Sequence, residues 1–386
     1  MKNFLRHITV PLLIMVIAPL FAAWILCLTF GDGVVTEVPY GIIDMDQSAL
    51  SRMLVHNIEE NNIFDVQFYG STPDELEDAI YYNQILAGVI IPRDFSKDVT
   101  AGKSPTVLIV YDGCQMSAVG ISKVKLNEVM MTIKAAASIQ VMEARLNLQP
   151  DEALLYAQPI STTYRYLGNP ERSIGNYVLP CTIASIVQLS AYLFVVEAIR
   201  KEENETVHPL VYSLIGTVVA TMTLLVCIWF MHTYFTLPMN GSWWAVLCLS
   251  LLNMFGICNL AAIVRILAPR KLMAEMSAVI IMAMLLFSGA TFPAIAMPRF
   301  FQWIAAILPF TYFAIPLRDV LLLGKNAADV MTCLQWLFWF AAGTAVLVTL
   351  LWLLHHMRCI RKKRKQNTGT DNCLDHQPEQ EVLPLC

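Results

Sequence analysis

Charged residues and catalytic motifs are both scarce in this sequence of 386 residues. Charged side chains make up 15% of it and hydrophobic ones 56%, which is typical of a membrane protein rather than a soluble one. The phosphate-binding pattern GxxxxGK(S/T) does not occur, and neither do GxSxG or HExxH. We therefore predict that this chain carries no catalytic residues and no cofactor.

Cysteine usage also excludes some classes of site. The ten cysteines include no CxxC pair, so a metal or redox centre has little support. Only Cys114 lies in the large polar segment, where a lone cysteine has no partner for a disulfide within its own domain. Asp44, Asp46 and Asp112 follow predicted strands. A metal site and turn capping both use aspartate there, and we favour turn capping.

Long uncharged runs predict six transmembrane helices, because about 20 apolar residues are needed to cross ~30 Å of hydrocarbon. The first run is longer than the apolar core of a secretory signal, so we interpret it as an uncleaved span. The predicted spans are Ile8–Phe30, Ser173–Val196, Pro209–Met231, Trp243–Val264, a fifth within Met276–Pro298, and Val330–Leu354.

Residues 31–172 form a polar segment whose pattern alternates strands and helices. This order predicts a small α/β domain between spans one and two. With 10 Lys and Arg against 19 Asp and Glu the segment is acidic, which disfavours a nucleic-acid partner. The predicted strands are Val34–Ile43, Val66–Tyr69, Ala87–Ile91 and Thr106–Tyr111, and the predicted helices are Ser48–Asn61, one starting at Ser71–Glu75, and Ser117–Asn147.

The placement of lysine and arginine predicts the orientation in the bilayer. With the N-terminus inside, the inner segments carry 13 of these residues and the short outer segments carry three. Both termini are therefore expected in the cytoplasm and residues 31–172 outside. We divide the chain into a leader and first span (1–30), the external α/β domain with a helical stalk (31–172), five spans (173–356) and a basic, then disordered tail (357–386).

Prolines interrupt the apolar sequence after the fifth predicted span. Pro293, Pro298 and Pro309 are expected to break it into a half-inserted hairpin, because proline removes a backbone donor and clashes with the preceding turn. Trp303 has the amphipathic character that suits the lipid headgroup layer. Arg318 and Asp319 are expected to form a local charge pair.

Several short motifs stand here in a fixed order: SGATFP at 288–293, Met297-Pro298, Pro309-x-Thr311-Tyr312, and Leu317-Arg318 followed by Leu322 and Gly324. In this order they resemble the last third of the type-2 ABC exporter permeases. GIIDMD at 41–46, AGVIIPRDFS at 87–96, GKSP at 102–105 and VYDG at 110–113 are similar to the external domain of the larger members. The resemblance implies a membrane subunit that works with a separate ABC ATPase, as a homodimer or with a paired permease, in the inner membrane.

The charged segment between spans two and three is similar to the cytoplasmic coupling loop of that family. The family pattern R-E-K-E-x-G-T is matched in charge, although Asn204-Glu205 stands where the glycine would fall. A solvated connecting loop is the alternative. The residues expected to meet the ATPase are Arg200, Lys201, Glu202, Glu203, Glu205 and Thr206.

Three functions from different classes remain. An exporter permease moving an amphipathic or hydrophobic cargo is favoured by the resemblance and by the mostly apolar spans. A membrane sensor that signals through its external domain is the alternative, although the short tail offers no output domain. A membrane-embedded enzyme has no supporting residues. A neighbouring ATPase gene would favour the first, and a periplasmic adaptor gene would indicate export through an outer-membrane channel.

Overall fold

The computed structural model describes residues 2–30, 37–101, 103–113, 116–146, 167–170, 173–199, 208–235, 237–268 and 270–374. Its contacts divide the chain into two units. The helical unit comprises Met1–Gly31, Leu167–Asn169 and Gly175–Cys386, and the α/β unit comprises Asp32–Tyr166 and Pro170–Ile174.

The α/β unit contains a four-stranded sheet in the order β2-β1-β3-β4. Strand β1 is parallel to β2 and β3, whereas β4 is antiparallel to β3. The strands are β1 Val38–Asp44, β2 Phe64–Tyr69, β3 Ala87–Ile91 and β4 Leu108–Tyr111; the helices are α2 Ala49–Glu59, α3 Pro73–Tyr81, α4 Phe95–Thr100 and α5 Met116–Leu146. Strand β3 has the predicted bounds. Helix α4 was not predicted, because its six residues are too few to show a periodic pattern.

Both faces of the sheet are covered, which explains why every residue of β3 is buried. On one face, Leu54 and Ile58 of α2 and Leu126 of α5 pack into one apolar core with Val89 of β3. On the other face, Leu76 of α3 belongs to a smaller core. This three-layer arrangement places α5 against the same face as α2.

Asp44, the last residue of β1, caps a turn, as predicted. Asp44 Oδ1 accepts the backbone N–H groups of Asp46 and Gln47, each at 3.0 Å, and its Oδ2 accepts the Ser51 hydroxyl at 2.7 Å. Asp46 Oδ2 accepts the N–H of Ser96 at 3.1 Å. The Asp44 bonds satisfy backbone donors of the turn, and the Asp46 bond satisfies an N–H in the first turn of α4, which has no intrahelical partner.

In the helical unit, the described residues include five helices long and apolar enough to cross a membrane, or up to six if one bent pair counts as a span. The long helices are α1 Lys2–Phe30, α6 Ile174–Ala198, α7 Pro209–Tyr234, α8 Trp243–Leu267 and α13 Met331–Leu374. The shorter helices are α9 Lys271–Met276, α10 Ala278–Phe287, α11 Arg299–Ile307 and α12 Thr311–Leu323. Both the number of spans and their orientation remain predictions.

Helix α8 lies between α7 and α13, and Gly256 of α8 is in direct contact with the Phe340 ring of α13, where a β-carbon would have no room. Small residues allow such close approach of membrane helices. Helix α6 is largely buried, and its side chains contact several neighbours, including α1 through Ser190 and α12 through Cys181.

The fifth predicted span differs from expectation. Helix α10 ends at Phe287, before the predicted break at Pro293, and its ten residues rise only about 15 Å. Gly289 adopts a left-handed conformation with φ of +86°, which ends a helix readily because glycine has no β-carbon. The glycine therefore ends the helix ahead of the prolines.

The C-terminal tail also differs in part. Helix α13 continues past the predicted span end at Leu354 to Leu374, so the first part of the segment expected to be disordered is helical. Residues 361–366 contain only Lys, Arg and Gln, which are good helix formers. Residues 375–386 lie outside the described residues.

Candidate functional site

The predicted hairpin, residues 288–324, begins with a tight turn. Ser288 Oγ donates to the carbonyl of Leu285 at 3.2 Å and accepts the N–H of Ala290 at 3.3 Å. Gly289 provides the left-handed backbone conformation between them. The turn therefore carries the Ala290 carbonyl at a fixed position beyond the end of α10.

Pro293 and Pro298 flank a short 3₁₀ turn, Ala294–Ala296, that leads to α11. The Pro298 carbonyl accepts the N–H of Phe301 at 2.9 Å, so the proline stands just ahead of the first turn of the helix. Helix α11 is amphipathic: Ala305 is buried, whereas Trp303 is 70% exposed. The exposed face has the aromatic bulk that was predicted for the headgroup layer.

Pro309 lies at a sharp bend of the hairpin, where the segments Arg299–Ile307 and Pro309–Leu323 meet at 85°. Two side chains fix the bend. Thr311 Oγ1 donates to the carbonyl of Ala305 at 2.7 Å, and Tyr312 Oη donates to the carbonyl of Ala306 at 2.9 Å. These bonds pair carbonyls at the end of α11 that have no intrahelical partner.

Arg318 of α12 contacts both the turn after α10 and helix α6. Its Nη1 donates to the Ala290 carbonyl at 2.9 Å, and its guanidinium lies 4.1 Å from the centre of the Tyr177 ring of α6. The predicted pair with Asp319 is wrong, because Asp319 instead accepts Lys325 Nζ at 2.7 Å. Adjacent helical residues point about 100° apart, so their side chains do not face each other.

All six predicted coupling residues, Arg200, Lys201, Glu202, Glu203, Glu205 and Thr206, lie outside the described residues. The positions on both sides of them are described. Arg265, 7% exposed at the end of α8, donates from Nε to the Ile199 carbonyl at 3.0 Å. His208 Nδ1 accepts the N–H of Leu210 at 3.3 Å, and burial lowers the pKa of His208 below its ordinary value, which favours this neutral acceptor.

Two further contacts join α6 to the segment after α8. Glu197 forms an ion pair with Lys271, which also lies 3.5 Å from Glu275. The hydroxyls of Tyr192 and Ser277 are hydrogen-bonded at 2.5 Å. We call Glu197, Ile199, Arg265 and Lys271 the loop-anchoring cluster, because they tie the chain just before residue 200 to α8 and α9.

Gln188 and Asn253 are polar residues of the membrane helices that face another helix. Both are fully buried, and Asn253 Nδ2 donates to Gln188 Oε1 at 3.1 Å. Asn259 is also fully buried, although neither atom of its amide has a hydrogen-bond partner among the described residues. Unpaired amides inside a membrane bundle are costly, so polar groups at these positions are candidates for a functional role.

The sequence of residues 11–353 matches the family model described as ABC-2 family transporter protein. The chain belongs to this family. Over 314 residues it is 23% identical to a protein of Escherichia coli (strain K12) named "Inner membrane transport permease YhhJ", covering 77% of this chain and 80% of the relative. A protein of Shigella flexneri with the same name matches equally. No solved structure matches.

Membership of the ABC-2 family confirms the resemblance drawn from the hairpin and α/β motifs. The chain is accordingly a multi-pass membrane protein with a transport permease role, and the family implies pairing with an ABC ATPase subunit. Sequence reasoning did not identify the loop-anchoring cluster. The sequence feature that could have pointed to it is Arg265, which directly follows 22 uncharged residues of α8.

Proposed function

We propose that this chain is the membrane subunit of an ATP-driven exporter, with ATP hydrolysis on a separate ATPase chain. Family membership across residues 11–353 supports a transport role, and a sequence with no phosphate-binding loop needs a partner for ATP. The subunit works as a homodimer or beside a paired permease. Its cofactor requirement is the ATP bound by the partner.

The loop-anchoring cluster is the observation that carries this proposal. Force from an ATPase must enter the bundle through a segment that is joined rigidly to the spans. Residues 200–206 connect α6 to α7, and the buried Arg265 holds the residue before them, Ile199, against α8. Motion imposed on the loop would therefore pass to α6 and to α8 together.

The predicted orientation puts this loop in the cytoplasm. Lysine and arginine are concentrated in the segments that would be inside, and the tail contributes six of them. The same orientation places both termini in the cytoplasm and residues 31–172 outside. The name of the Escherichia coli relative supports an inner-membrane location. An external domain of this size would also suit contact with a periplasmic adaptor and an outer-membrane channel.

The cargo is proposed to be amphipathic or hydrophobic and to move outward. The packed core of the helical unit is mostly apolar, with the Gln188–Asn253 pair among its few polar contacts. If these helices separate to form a path, its lining would be mostly apolar and would suit an apolar molecule, because few polar groups would be left unpaired.

Combined replacement of the loop charges tests the coupling role. The variant Arg200→Ala, Glu202→Ala, Glu203→Ala should lower cargo-stimulated ATPase activity and recovery of the ATPase in pull-downs. Single replacements should do little, because exposed ion pairs contribute about 0–1 kcal/mol each. The matched control is Arg361→Ala, Lys362→Ala, Lys363→Ala in the tail. Full activity of the loop variant would move the coupling site elsewhere, and ATP hydrolysis by the purified chain alone would overturn the proposal.

Cysteine labelling tests the orientation. A membrane-impermeant thiol reagent should reach Cys114 from outside intact cells and should not reach Cys373. Permeabilised cells provide the control, since the membrane then no longer separates the reagent from Cys373. Labelling of Cys373 in intact cells would reverse the topology.

A further inference from the structure

The α/β unit contains a cleft of about 770 Å³ between α5 and the chain that leads from α4 into β4. Its floor is apolar and continuous with the sheet core. Phe95 and Ile133 are 6% and 4% exposed, and Val107, Ile109 and Met130 are partly buried beside them. The volume lies within the roughly 300–1,000 Å³ range of small-molecule sites.

The rim of the cleft is polar, and the charged side chains that line it are both positive. Lys103 and Lys134 line it, together with the hydroxyl and amide groups of Thr106 and Asn127, and no carboxylate is among the described residues that line it. This is unusual in a segment with 19 acidic and 10 basic residues. The local excess of positive charge therefore does not reflect the average surface of the segment.

The two lysines differ in how free they are to bind a ligand. Lys103 Nζ lies 3.0 Å from Asp98 Oδ1, and its backbone N–H donates to the Asp98 carbonyl at 2.8 Å, which fixes its position at the rim. Lys134 is exposed on α5 and forms no ion pair with any residue that the structure describes. One side chain is held in place and the other is available to a ligand anion.

We propose that this cleft binds a single-chain amphiphile with an anionic head group, such as a fatty acid. The apolar floor would cover the chain, and Lys134 and Lys103 would hold the carboxylate or phosphate with charge-assisted hydrogen bonds. Thr106 and Asn127 supply further donors to the same head group. A neutral lipid would leave Lys134 without a partner, and an anion without a chain would leave the apolar floor in water.

Photo-crosslinking on the full-length chain in lipid nanodiscs tests the proposal. The probe is dodecanoic acid carrying a diazirine on its chain, and labelled peptides are mapped by mass spectrometry. We expect labelling of the peptides that contain residues 103–109 and 130–138. In the double variant Lys103→Gln, Lys134→Gln the labelling of these peptides should fall about tenfold at a subsaturating probe concentration.

The control variant is Lys123→Gln, which removes an exposed lysine of the same helix that does not line the cleft. The Lys123→Gln variant should be labelled like the unmodified protein. The methyl ester of the probe should label the cleft weakly in both the control variant and the unmodified protein. Equal labelling by acid and ester, labelling confined to the membrane helices, or an unchanged yield in the double variant would each overturn the proposal. Binding is measured without the ATPase, so this result is independent of the proposed export function.

Discussion

Arg265 Nε donates to the Ile199 carbonyl at 3.0 Å, although 66 residues separate the two in sequence. The arginine is 7% exposed and lies in the last turn of α8, whereas Ile199 follows α6 directly. The bond satisfies a carbonyl at a helix end that would otherwise lack an intrahelical partner. It also joins the two helices at the point where the predicted coupling loop begins.

Replacing Arg265 should therefore uncouple the loop from the bundle. In Arg265→Met the Ile199 carbonyl loses its donor, and we expect the loss to cost about 1.5–3 kcal/mol, as for other hydrogen bonds to charged groups. Thermal unfolding should show a lower midpoint, and stimulation of the partner ATPase by cargo should fall. Arg270→Met is the control, because Arg270 is an exposed cation five positions further on. Equal effects of the two variants would contradict a specific role for Arg265.

The ion pair between Glu197 and Lys271 should be exchangeable. Each side chain is partly exposed, at 35% and 44%, so the pair is expected to contribute no more than about 1 kcal/mol. Glu197→Lys and Lys271→Glu should each lower ATPase stimulation, because each places like charges side by side. The double variant should recover most of it, as measured in a double-mutant cycle. If the double variant is as impaired as the singles, the charges act on something other than each other.

The His208 cap should make the start of α7 sensitive to pH. Burial lowers the pKa of His208 in the folded chain, so the unfolded chain takes up the proton first as pH falls. The stability that this group provides is present above the ordinary histidine pKa of 6.5 and is lost as pH falls below it. His208→Asn keeps an acceptor for the Leu210 N–H and does not titrate.

The fall in thermal midpoint between roughly pH 7.5 and 5.5 should therefore be smaller in His208→Asn than in the unmodified chain. His56→Asn is a suitable control, because His56 is an exposed side chain of the α/β unit. An identical pH profile for His208→Asn and the unmodified chain would show that the cap does not titrate in this range.

The long helices could be predicted from the sequence because apolar length alone determines them. The runs at 174–198, 209–234 and 243–267 need no knowledge of their neighbours to be recognised as buried or lipid-facing helices. Strand β3 was equally clear, since it occupies the last five of seven consecutive apolar or small residues that precede Pro92. In these elements the local pattern and the tertiary environment favour the same structure.

The turn at Gly289 and the partners of the charged residues could not be predicted in this way. A glycine in an apolar run is compatible with close helix packing, as at Gly256, and with a helix end, as at Gly289. Only the tertiary structure distinguishes the two. Likewise, Arg318 has Asp319 beside it in sequence, yet it bonds to Ala290, which is 28 positions away. Such pairings depend on the packing of whole helices.

Arg318 should hold the hairpin to α6 through both of its contacts. Arg318→Lys keeps the positive charge but lacks the planar fork that reaches the Ala290 carbonyl and stacks on Tyr177. We expect both Arg318→Lys and Arg318→Gln to lower transport and the thermal midpoint, with Arg318→Gln affected more. Tyr177→Phe should change little, because the ring remains. Full transport in Arg318→Gln would show that the hairpin needs no such tie.

Trp303 tests whether the hairpin is anchored in the lipid headgroup layer. Its side chain is 70% exposed on α11, on the face opposite the buried Ala305, and Phe300 beside it is 64% exposed. An amphipathic ring at this level stabilises the position of the helix, whereas a carboxylate would favour water and draw α11 out of the layer. Trp303→Glu should therefore lower transport strongly while the protein still inserts. Trp303→Phe should keep most of the activity, because it retains an aromatic ring.

Insertion is checked by the amount of protein in washed membranes, and transport by cargo efflux from cells. If Trp303→Glu transports like the unmodified chain, the 299–307 helix is a connecting segment with no anchoring role.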